Sequence, residues 1–357
     1  MKIAVVSAYA LGSALVLGTL SGCAGSSEST GSAEAFAPAS VATTGTPNGT
    51  PHHPSNFARA NSARSWMSPE ATKSKDLLYV SDYSGTNNEV DVFSYPAGKL
   101  VGKLTTDMLN PDGLCIDKKD DVFVVNNTPN SNDVVEFKHG GTQPIATLID
   151  PGESAISCAV DPITGNLAVT SGSNISGGSG VVAIYAHGKG STPQFYSDTQ
   201  MFAIYWCGYD DKGNLFVDGQ PTSDGFGFQL AELPKGKKAL VNIKLTGGTI
   251  NFPGQVQWDG KYLLIGDQEA QQSGDPESSA LYETTGATGK IVKKITLKGS
   301  TDVSEYEVLG STMLAPNALD GSLGGGDVLL YKYPAGGVAT KKITGPFDDP
   351  IGLVVSP

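Results

Sequence analysis

The sequence predicts an all-β protein, a six-bladed β-propeller of four-stranded antiparallel blades whose ring is closed by the C-terminal strand. Three observations predict this fold. Charged residues make up 17% of the 357 residues and 45 residues are glycine, which is typical of a turn-rich β protein. Short apolar strands separated by polar turns recur with a period of roughly 45 residues. The first and last strands of the pattern each lack a partner in their own repeat.

The repeated unit is clearest between residues 110 and 127, which read NPDGLCIDKKDDVFVVNN. A turn at residues 110–113 precedes a first strand at 114–116. A polar turn at residues 117–121 then leads into a second strand at 122–125. Apolar runs of this length bounded by Gly, Pro, Asn and Asp are the usual signature of paired β-strands.

Equivalent strands follow along the chain, and we number them outward from the predicted central channel. Second strands are predicted at residues 77–83, 122–127, 166–172, 214–220, 262–268 and 312–317. Third strands are predicted to start at Glu89, Asp133, Gly180, Phe228, Ser279 and Asp327. Fourth strands are shorter and more polar, at residues 102–105, 145–149, 240–245 and 291–297. Short polar strands suit the outer edge of a blade, because exposed edges that are long and apolar promote aggregation.

The two ends of the repeat region complement each other. Residues 349–357 (DPIGLVVSP) repeat the turn-then-strand pattern of residues 110–118, but no second strand follows them. Residues 77–83 form a second strand with no first strand before it. The sequence therefore predicts that both ends build one blade and that deletion of residues 351–357 unfolds the domain.

The N-terminus predicts an exported protein. Lys2 and the apolar run at residues 3–20 are typical of a signal peptide, predicted to cover residues 1–22. Residues 20–23 (LSGC) resemble the bacterial lipobox, which implies lipidation of Cys23 and attachment to a membrane through that lipid anchor. Ala24 in place of Asp implies sorting to the outer membrane of the cell envelope. An ordinary secretory signal, cleaved at a small residue, is the alternative.

Residues 23–75 are predicted to be a tether and residues 76–357 the propeller. The tether is rich in Ser, Thr, Gly, Ala and Pro, and such a segment cannot bury enough apolar surface to offset the entropy of ordering it. Trp66 is the exception, and residues 57–67 are interpreted as a plug or strap packed against the propeller.

Three cysteines, Cys115, Cys158 and Cys207, each fall in a predicted first strand. With Cys23 lipidated their number is odd, so they cannot all pair. We interpret them as small buried side chains near the hub of a protein that does not depend on disulfides. A three-thiolate metal site is the alternative, although no CxxC spacing supports it.

The composition excludes one class of partner. The formal net charge is -12, whereas a nucleic-acid-binding surface must supply Lys and Arg to neutralise phosphates. The sequence also contains no GxSxG, HExxH or P-loop motif. No nucleic acid partner is therefore expected, and no standard catalytic motif is present.

The pattern P-x-G, followed by an apolar strand and Asp, is carried best by Pro111–Gly113, with Pro350–Gly352 and Pro253–Gly254 next. This pattern resembles NHL repeats and the related six-bladed propellers of the SMP-30/gluconolactonase type. The resemblance implies one polar face, around the channel, where second strands end and first strands begin. The residues predicted to form this ligand-binding face are Asp82, Asp112, Asn126, Asn127, Glu153, Asp218, Gln220, Asp267, Gln268 and Asn317.

Two functions follow from the resemblance. The favoured one is a non-catalytic surface lipoprotein that binds a protein, glycan or small ligand at the polar face. The alternative is a metal-dependent lactone or ester hydrolase, because SMP-30-like lactonases hold one divalent metal in the channel. In that case the resemblance implies Ca²⁺ or Mg²⁺ at Glu153, Asn126, Asp218 and Asp267. No other cofactor is expected.

Overall fold

The computed structural model describes residues 64–83, 88–127, 132–150, 153–174, 179–221, 227–270, 278–301, 303–318 and 325–357. The predicted signal peptide, Cys23 and most of the predicted tether lie outside these ranges. Among the described residues no helix is long and apolar enough to cross a membrane. Short 3-10 turns occur at Ala71–Lys73, Ala186–Gly188 and Gly286–Thr288. The rest of the regular structure in these ranges is β.

The strands, in chain order, are β1 (Trp66–Met67), β2 (Asp76–Asp82), β3 (Glu89–Tyr95), β4 (Lys99–Leu104), β5 (Pro111–Ile116), β6 (Val122–Asn126), β7 (Asn132–Phe137), β8 (Pro144–Asp150), β9 (Glu153–Val160), β10 (Leu167–Asn174), β11 (Val181–Tyr185), β12 (Gln194–Ser197), β13 (Ala203–Tyr209), β14 (Leu215–Gln220), β15 (Gln229–Leu233), β16 (Val241–Ile243), β17 (Pro253–Trp258), β18 (Leu263–Asp267), β19 (Ser278–Thr284), β20 (Ile291–Lys298), β21 (Glu307–Leu309), β22 (Thr312–Ala318), β23 (Gly326–Lys332), β24 (Gly337–Val338), β25 (Lys341–Thr344) and β26 (Pro350–Ser356).

These strands form six sheets, which are the blades, and their four main strands pair antiparallel; β24 alone pairs in parallel, with β20. The first blade runs β26-β2-β3-β4 from the inside outward, with β1 added at its outer edge. The second, third and fourth blades are β5–β8, β9–β12 and β13–β16. The fifth is β17–β20 with β24 added outside, and the sixth is β21-β22-β23-β25. The prediction of six four-stranded blades is confirmed.

The innermost strands form the hub of a closed ring. β26 contacts β5, β5 contacts β9, β9 contacts β13, β13 contacts β17, and β21 contacts β26. The predicted joining of the chain ends is also confirmed, because β26 pairs with β2 from Leu77 opposite Ser356 to Asp82 opposite Pro350. We call this pairing the seam. Leu353, Val354 and Val355 of β26 are buried, so the seam is part of the core.

The Asp of the repeated sequence pattern forms the turn between first and second strands. In four blades its Oδ1 accepts the amide of the residue two positions later, at 2.7–2.9 Å. An Asp side chain commonly stabilises a turn in this way. The accepting Asp and the residue whose amide donates are Asp117 and Lys119, Asp161 and Ile163, Asp210 and Lys212, and Asp259 and Lys261. We call this side of the ring the turn face and the opposite side the loop face.

The glycine of the P-x-G pattern leaves room at the hub. A Cβ at Gly352 would lie 2.5 Å from the backbone oxygen of Asp112 and 2.9 Å from Oε2 of Glu305. A Cβ at Gly113 would lie 2.7 Å from the backbone oxygen of Ile156. Real Cβ atoms do not approach so closely, so these two positions require glycine because inner strands converge there.

One sequence interpretation was wrong, and the structure decides between the two alternatives of another. Cys115 on β5 and Cys158 on β9 form a disulfide with a Cα–Cα distance of 5.7 Å, so the interpretation that the domain lacks disulfides was wrong. An odd cysteine count left two free to pair, and equivalent positions in neighbouring blades are adjacent at the hub. Cys207 on β13 is buried and unbonded. Trp66 is 43% exposed on β1, which pairs with β4 at the outer edge, so it straps the first blade and does not plug the channel.

Candidate functional site

The predicted ligand-binding residues at second-strand ends are buried and bonded to backbone. Asn126, at the end of β6, accepts the amides of Leu109 at 2.8 Å and Asn110 at 3.3 Å through its Oδ1. Its Nδ2 donates to Asp107 O and, at 2.9 Å, to Asp133 Oδ1. This side chain therefore holds the connection that enters the second blade from the first.

The same device recurs in three other blades. Asp267 accepts the amides of Asn251, Phe252 and Glu269 at 3.1–3.2 Å. Asn317 accepts the amide of Thr301 at 2.9 Å, and Asp82 accepts the amides of Asp348 and Asp349. Each of these side chains is at least 98% buried. A polar residue at this point of the repeat builds the blade-to-blade connection.

The other predicted residues have contacts of several kinds. Asp218 Oδ1 accepts the amide of Trp206 at 3.2 Å, and Gln220 accepts the hydroxyl of Tyr205 at 2.8 Å. Gln268 donates to the backbone oxygen of Pro253 and Asn127 to that of Ala155. Asp112 is buried at the hub. Glu153 begins β9, and its side chain lies outside the described residues.

The described members of the predicted metal set do not fit a shared divalent ion. Asn126 and Asp267 belong to the second and fifth blades, on opposite sides of the ring, and each binds backbone amides of its own blade. Among the described residues, two groups of three acids have ligand atoms within 4.8 Å of one another, and neither contains Asp218 or Asp267. No catalytic step is therefore built on this set.

Sequence reasoning missed a buried carboxyl at the hub, Glu305. Its Oε2 accepts the amides of Leu114 on β5 at 3.4 Å and Leu353 on β26 at 3.2 Å. Its Oε1 accepts the hydroxyl of Ser157 on β9 at 3.4 Å. One side chain from the sixth blade thus links the inner strands of the first, second and third blades. Burial raises the pKa of Glu305 from 4.5 to about 8, so it is mostly protonated at neutral pH.

Glu307, two residues further on, repeats this chemistry. It accepts the amide of Val355 at 2.5 Å, and burial raises its pKa to about 8. Glu305 lies in the segment that leads into β21 and Glu307 begins that strand, and both carboxyls accept amides of β26. The two acids of the sequence Glu-Tyr-Glu were the signal available, in the repeat whose pattern is the most degenerate.

The channel between the inner strands contains a small cavity of about 170 Å³ near the turn face. Residues from all six inner segments line it, including Leu114, Cys158, Gly208, Gln257, Glu307 and Leu353. A cavity of this size is below the usual range for drug-sized ligands, about 300–1,000 Å³. Within the described residues, this part of the hub therefore has little room for a ligand.

Comparison with known proteins supports the fold. No protein-family model matches the chain, and no curated protein matches it. The chain is similar to a propeller from a structure titled as the nidogen/laminin complex, with a TM-score of 0.59 and 12% identity over 79% of this chain and 98% of that one. It is also similar to a putative 6-phosphogluconolactonase from Bacteroides fragilis, with a TM-score of 0.52 and 16% identity over 81% of this chain and 100% of that one.

At these identities the similarity shows the fold and carries no function with it. Membership of the NHL or SMP-30 families stays a prediction. What the comparisons and the strand topology together establish is a six-bladed β-propeller.

Proposed function

We propose that this protein is an exported, lipid-anchored propeller that binds a partner, a protein or a glycan, at its loop face without catalysing a reaction there. One observation carries the proposal. The strand-end side chains that could have formed a catalytic cavity, such as Asn126 and Asp267, are hydrogen-bonded to backbone amides instead. They hold the connections on a rigid ring, and connections on a rigid scaffold are where binding usually resides.

Two further facts support the proposal. The disulfide between Cys115 and Cys158 is expected in an oxidising compartment, which agrees with the lipobox at residues 20–23. A propeller of similar fold is named in a complex with laminin, which is a precedent by analogy for a protein partner.

Cross-linking from one exposed residue on each face tests where the partner binds. Phe202 is 39% exposed in the connection before β13, on the loop face, and Ile163 is 49% exposed in a turn on the opposite face. A photoreactive amino acid at position 202 should give envelope adducts, whereas the same group at position 163 should not. Adducts from position 163 alone, or from neither position, would contradict binding at the loop face.

The lipid anchor has its own test. Cys23→Ala removes the thiol that would carry lipid, so this variant should move from the membrane fraction to the soluble exported fraction. Cys207→Ala is the matched control, because Cys207 is buried in the propeller and should leave the fractionation unchanged. Membrane association that survives Cys23→Ala would contradict the anchor.

A second candidate function, lactone hydrolysis, is offered by analogy with the putative 6-phosphogluconolactonase, whose fold is similar. Purified protein should be assayed against a panel of lactones. Hydrolysis above background at a rate proportional to the protein concentration, with many turnovers, that is lost on substitution of Asp218 would replace the binding proposal. We expect none, because Asp218 is fully buried and bonds the amide of Trp206.

A further inference from the structure

Three acids converge beside the seam in the first blade. Asp82 ends β2 and pairs across the sheet with Glu89 on β3, and Asp91 follows two residues later on the same face. One carboxylate oxygen from each residue lies within 4.8 Å of the other two. The exposed fractions of Asp82, Glu89 and Asp91 are 0%, 4% and 0%. The three carboxyl groups are therefore close together and shielded from solvent.

Among the three acids, Asp91 is the residue whose hydrogen bonding is incomplete. Neither of its carboxylate oxygens makes a hydrogen bond, although the residue is fully buried. Lys103 on β4 forms ion pairs with Asp91 Oδ1, at 3.4 Å, and with Glu89. Asp91 Oδ2 has neither a hydrogen bond nor an ion pair among the described residues. A buried carboxylate oxygen without a partner is costly, so this oxygen is the one that a ligand would satisfy.

We propose that Asp82, Glu89 and Asp91 form a binding site for a divalent cation, Ca²⁺. The donor set consists of carboxylate oxygens, which are the ligands of hard cations, and Ca²⁺ accepts irregular arrangements of them more readily than Mg²⁺. The Lys103 side chain is 21% exposed, so its ammonium has a path to solvent when the cation enters.

Binding at this site would act on ring closure. The carboxylate of Asp82 also accepts the amides of Asp348 and Asp349, which lie directly before β26. A cation held by Asp82, Glu89 and Asp91 therefore stabilises the contact between the N-terminal and C-terminal parts of the chain. The site lies at the loop-face end of the first blade, and its binding of a cation does not depend on the partner proposed above.

The other group of three acids consists of Asp117, Asp121 and Glu136. Its carboxylates support a turn, so it can be compared with the group around Asp91. Asp117 Oδ1 accepts the amides of Lys119 at 2.7 Å and Asp121 at 3.1 Å. It is the turn residue that three other blades also use. This group has no buried carboxylate oxygen without a hydrogen bond, which distinguishes it from the group around Asp91. It therefore serves as an internal control.

Calorimetry and thermal unfolding of the full mature chain, stripped with EDTA and titrated with CaCl₂, test the proposal. We expect one Ca²⁺ per chain, with a Kd in the range of extracellular sites, about 10⁻⁴ to 10⁻³ M. At a Ca²⁺ concentration about 100 times the Kd, the ratio of folded to unfolded protein should rise about 100-fold. Wild-type protein whose melting temperature does not respond to Ca²⁺ would overturn the proposal.

Variants separate a cation site from a structural ion-pair cluster. Asp91→Asn should abolish the Ca²⁺ response, while Glu136→Gln should retain it. Lys103→Met removes the competing ammonium and should tighten Ca²⁺ binding by about tenfold or more. Equal Ca²⁺ responses in wild type and Asp91→Asn, or a response lost in Lys103→Met, would show that the carboxylates are not the ligands.

Discussion

The ring is held together in different ways at two neighbouring places. At the seam, β26 and β2 come from opposite ends of the chain and are joined by non-covalent contacts alone, among them the bond from the Gly352 amide to Ser81 Oγ across 271 residues. One blade further on, β5 and β9 are cross-linked by the Cys115–Cys158 disulfide, across 43 residues. The long loop that the seam closes thus has no covalent cross-link, whereas the much shorter loop between Cys115 and Cys158 has one.

The difference indicates where the propeller is weakest. The entropy of closing a loop grows only slowly with its length, so strand pairing can close the whole ring without a covalent bond. Among the described residues, no covalent bond would then hold the two ends of the repeat region together when the pairing fails. We expect the first blade to open before the second and third blades do.

Deletion of residues 351–357 should have the largest effect. It removes the buried Leu353, Val354 and Val355 and exposes the inner edge of β2, so we expect loss of the cooperative unfolding transition. Circular dichroism and size-exclusion chromatography would measure it.

The matched control truncates the other terminal strand. Deletion through Met67 removes β1, which forms only two residue pairs with β4 at the outer edge. It should leave the cooperative unfolding transition in place, because it removes an outer-edge strand and the packing of Met67 but no inner strand. If both deletions had similar effects on unfolding, the stability of the ring would not depend on the seam more than on an outer-edge strand.

Removal of the disulfide should have an intermediate effect. Cys115→Ala with Cys158→Ala should lower the free energy of unfolding by about 2–4 kcal/mol, because the cross-link restricts the unfolded chain. Urea denaturation would measure the change. Cys207→Ala is the control at the equivalent position of the fourth blade, and it should cost less and be insensitive to reductant. A double variant no less stable than Cys207→Ala would contradict a stabilising role of the disulfide.

The repeat and its closure could be predicted from the sequence because both are local patterns. The Asp of each turn bonds an amide two residues away, and the end strands at residues 77–83 and 349–357 complement each other by inspection. The disulfide could not be predicted by counting cysteines. It follows from the position of Cys115 and Cys158, since equivalent points on neighbouring inner strands lie side by side.

The site was harder to predict for a physical reason. The sequence shows that Asn126 and Asp267 end strands, but not whether their oxygens face solvent or backbone amides, and the structure places them on amides. Glu305 lies in the sixth repeat, whose sequence departs most from the repeat pattern. The pattern therefore did not identify it as a hub residue. The glycines at positions 113 and 352 were visible as a motif, and the reason for them appears only beside Glu305 and the converging inner strands.

Glu305 contacts both regions compared above, and its effect on stability shows only as the pH changes. Its Oε2 accepts amides from Leu353 at the seam and from Leu114 on the disulfide-bearing β5. Because burial raises its pKa from 4.5 to about 8, the folded state holds the proton more tightly than the unfolded state. The resulting stability is fully present below pH 4.5 and is lost as the pH rises through about 8.

Glu305→Gln should therefore flatten the dependence of stability on pH. Gln cannot ionise, so the variant should lose up to about 1.4 kcal/mol per pH unit of slope in that window. Urea midpoints measured between about pH 5 and 9 would show it. Glu307→Gln removes the neighbouring carboxyl with the same direction of shift and tests additivity, since Glu307 contacts Val355 of the seam but no amide of β5 among its described bonds. Parallel slopes for wild type and Glu305→Gln would mean that the hub carboxyl stays ionised in the folded protein, and that the seam and the disulfide-linked blades are not coupled through its proton.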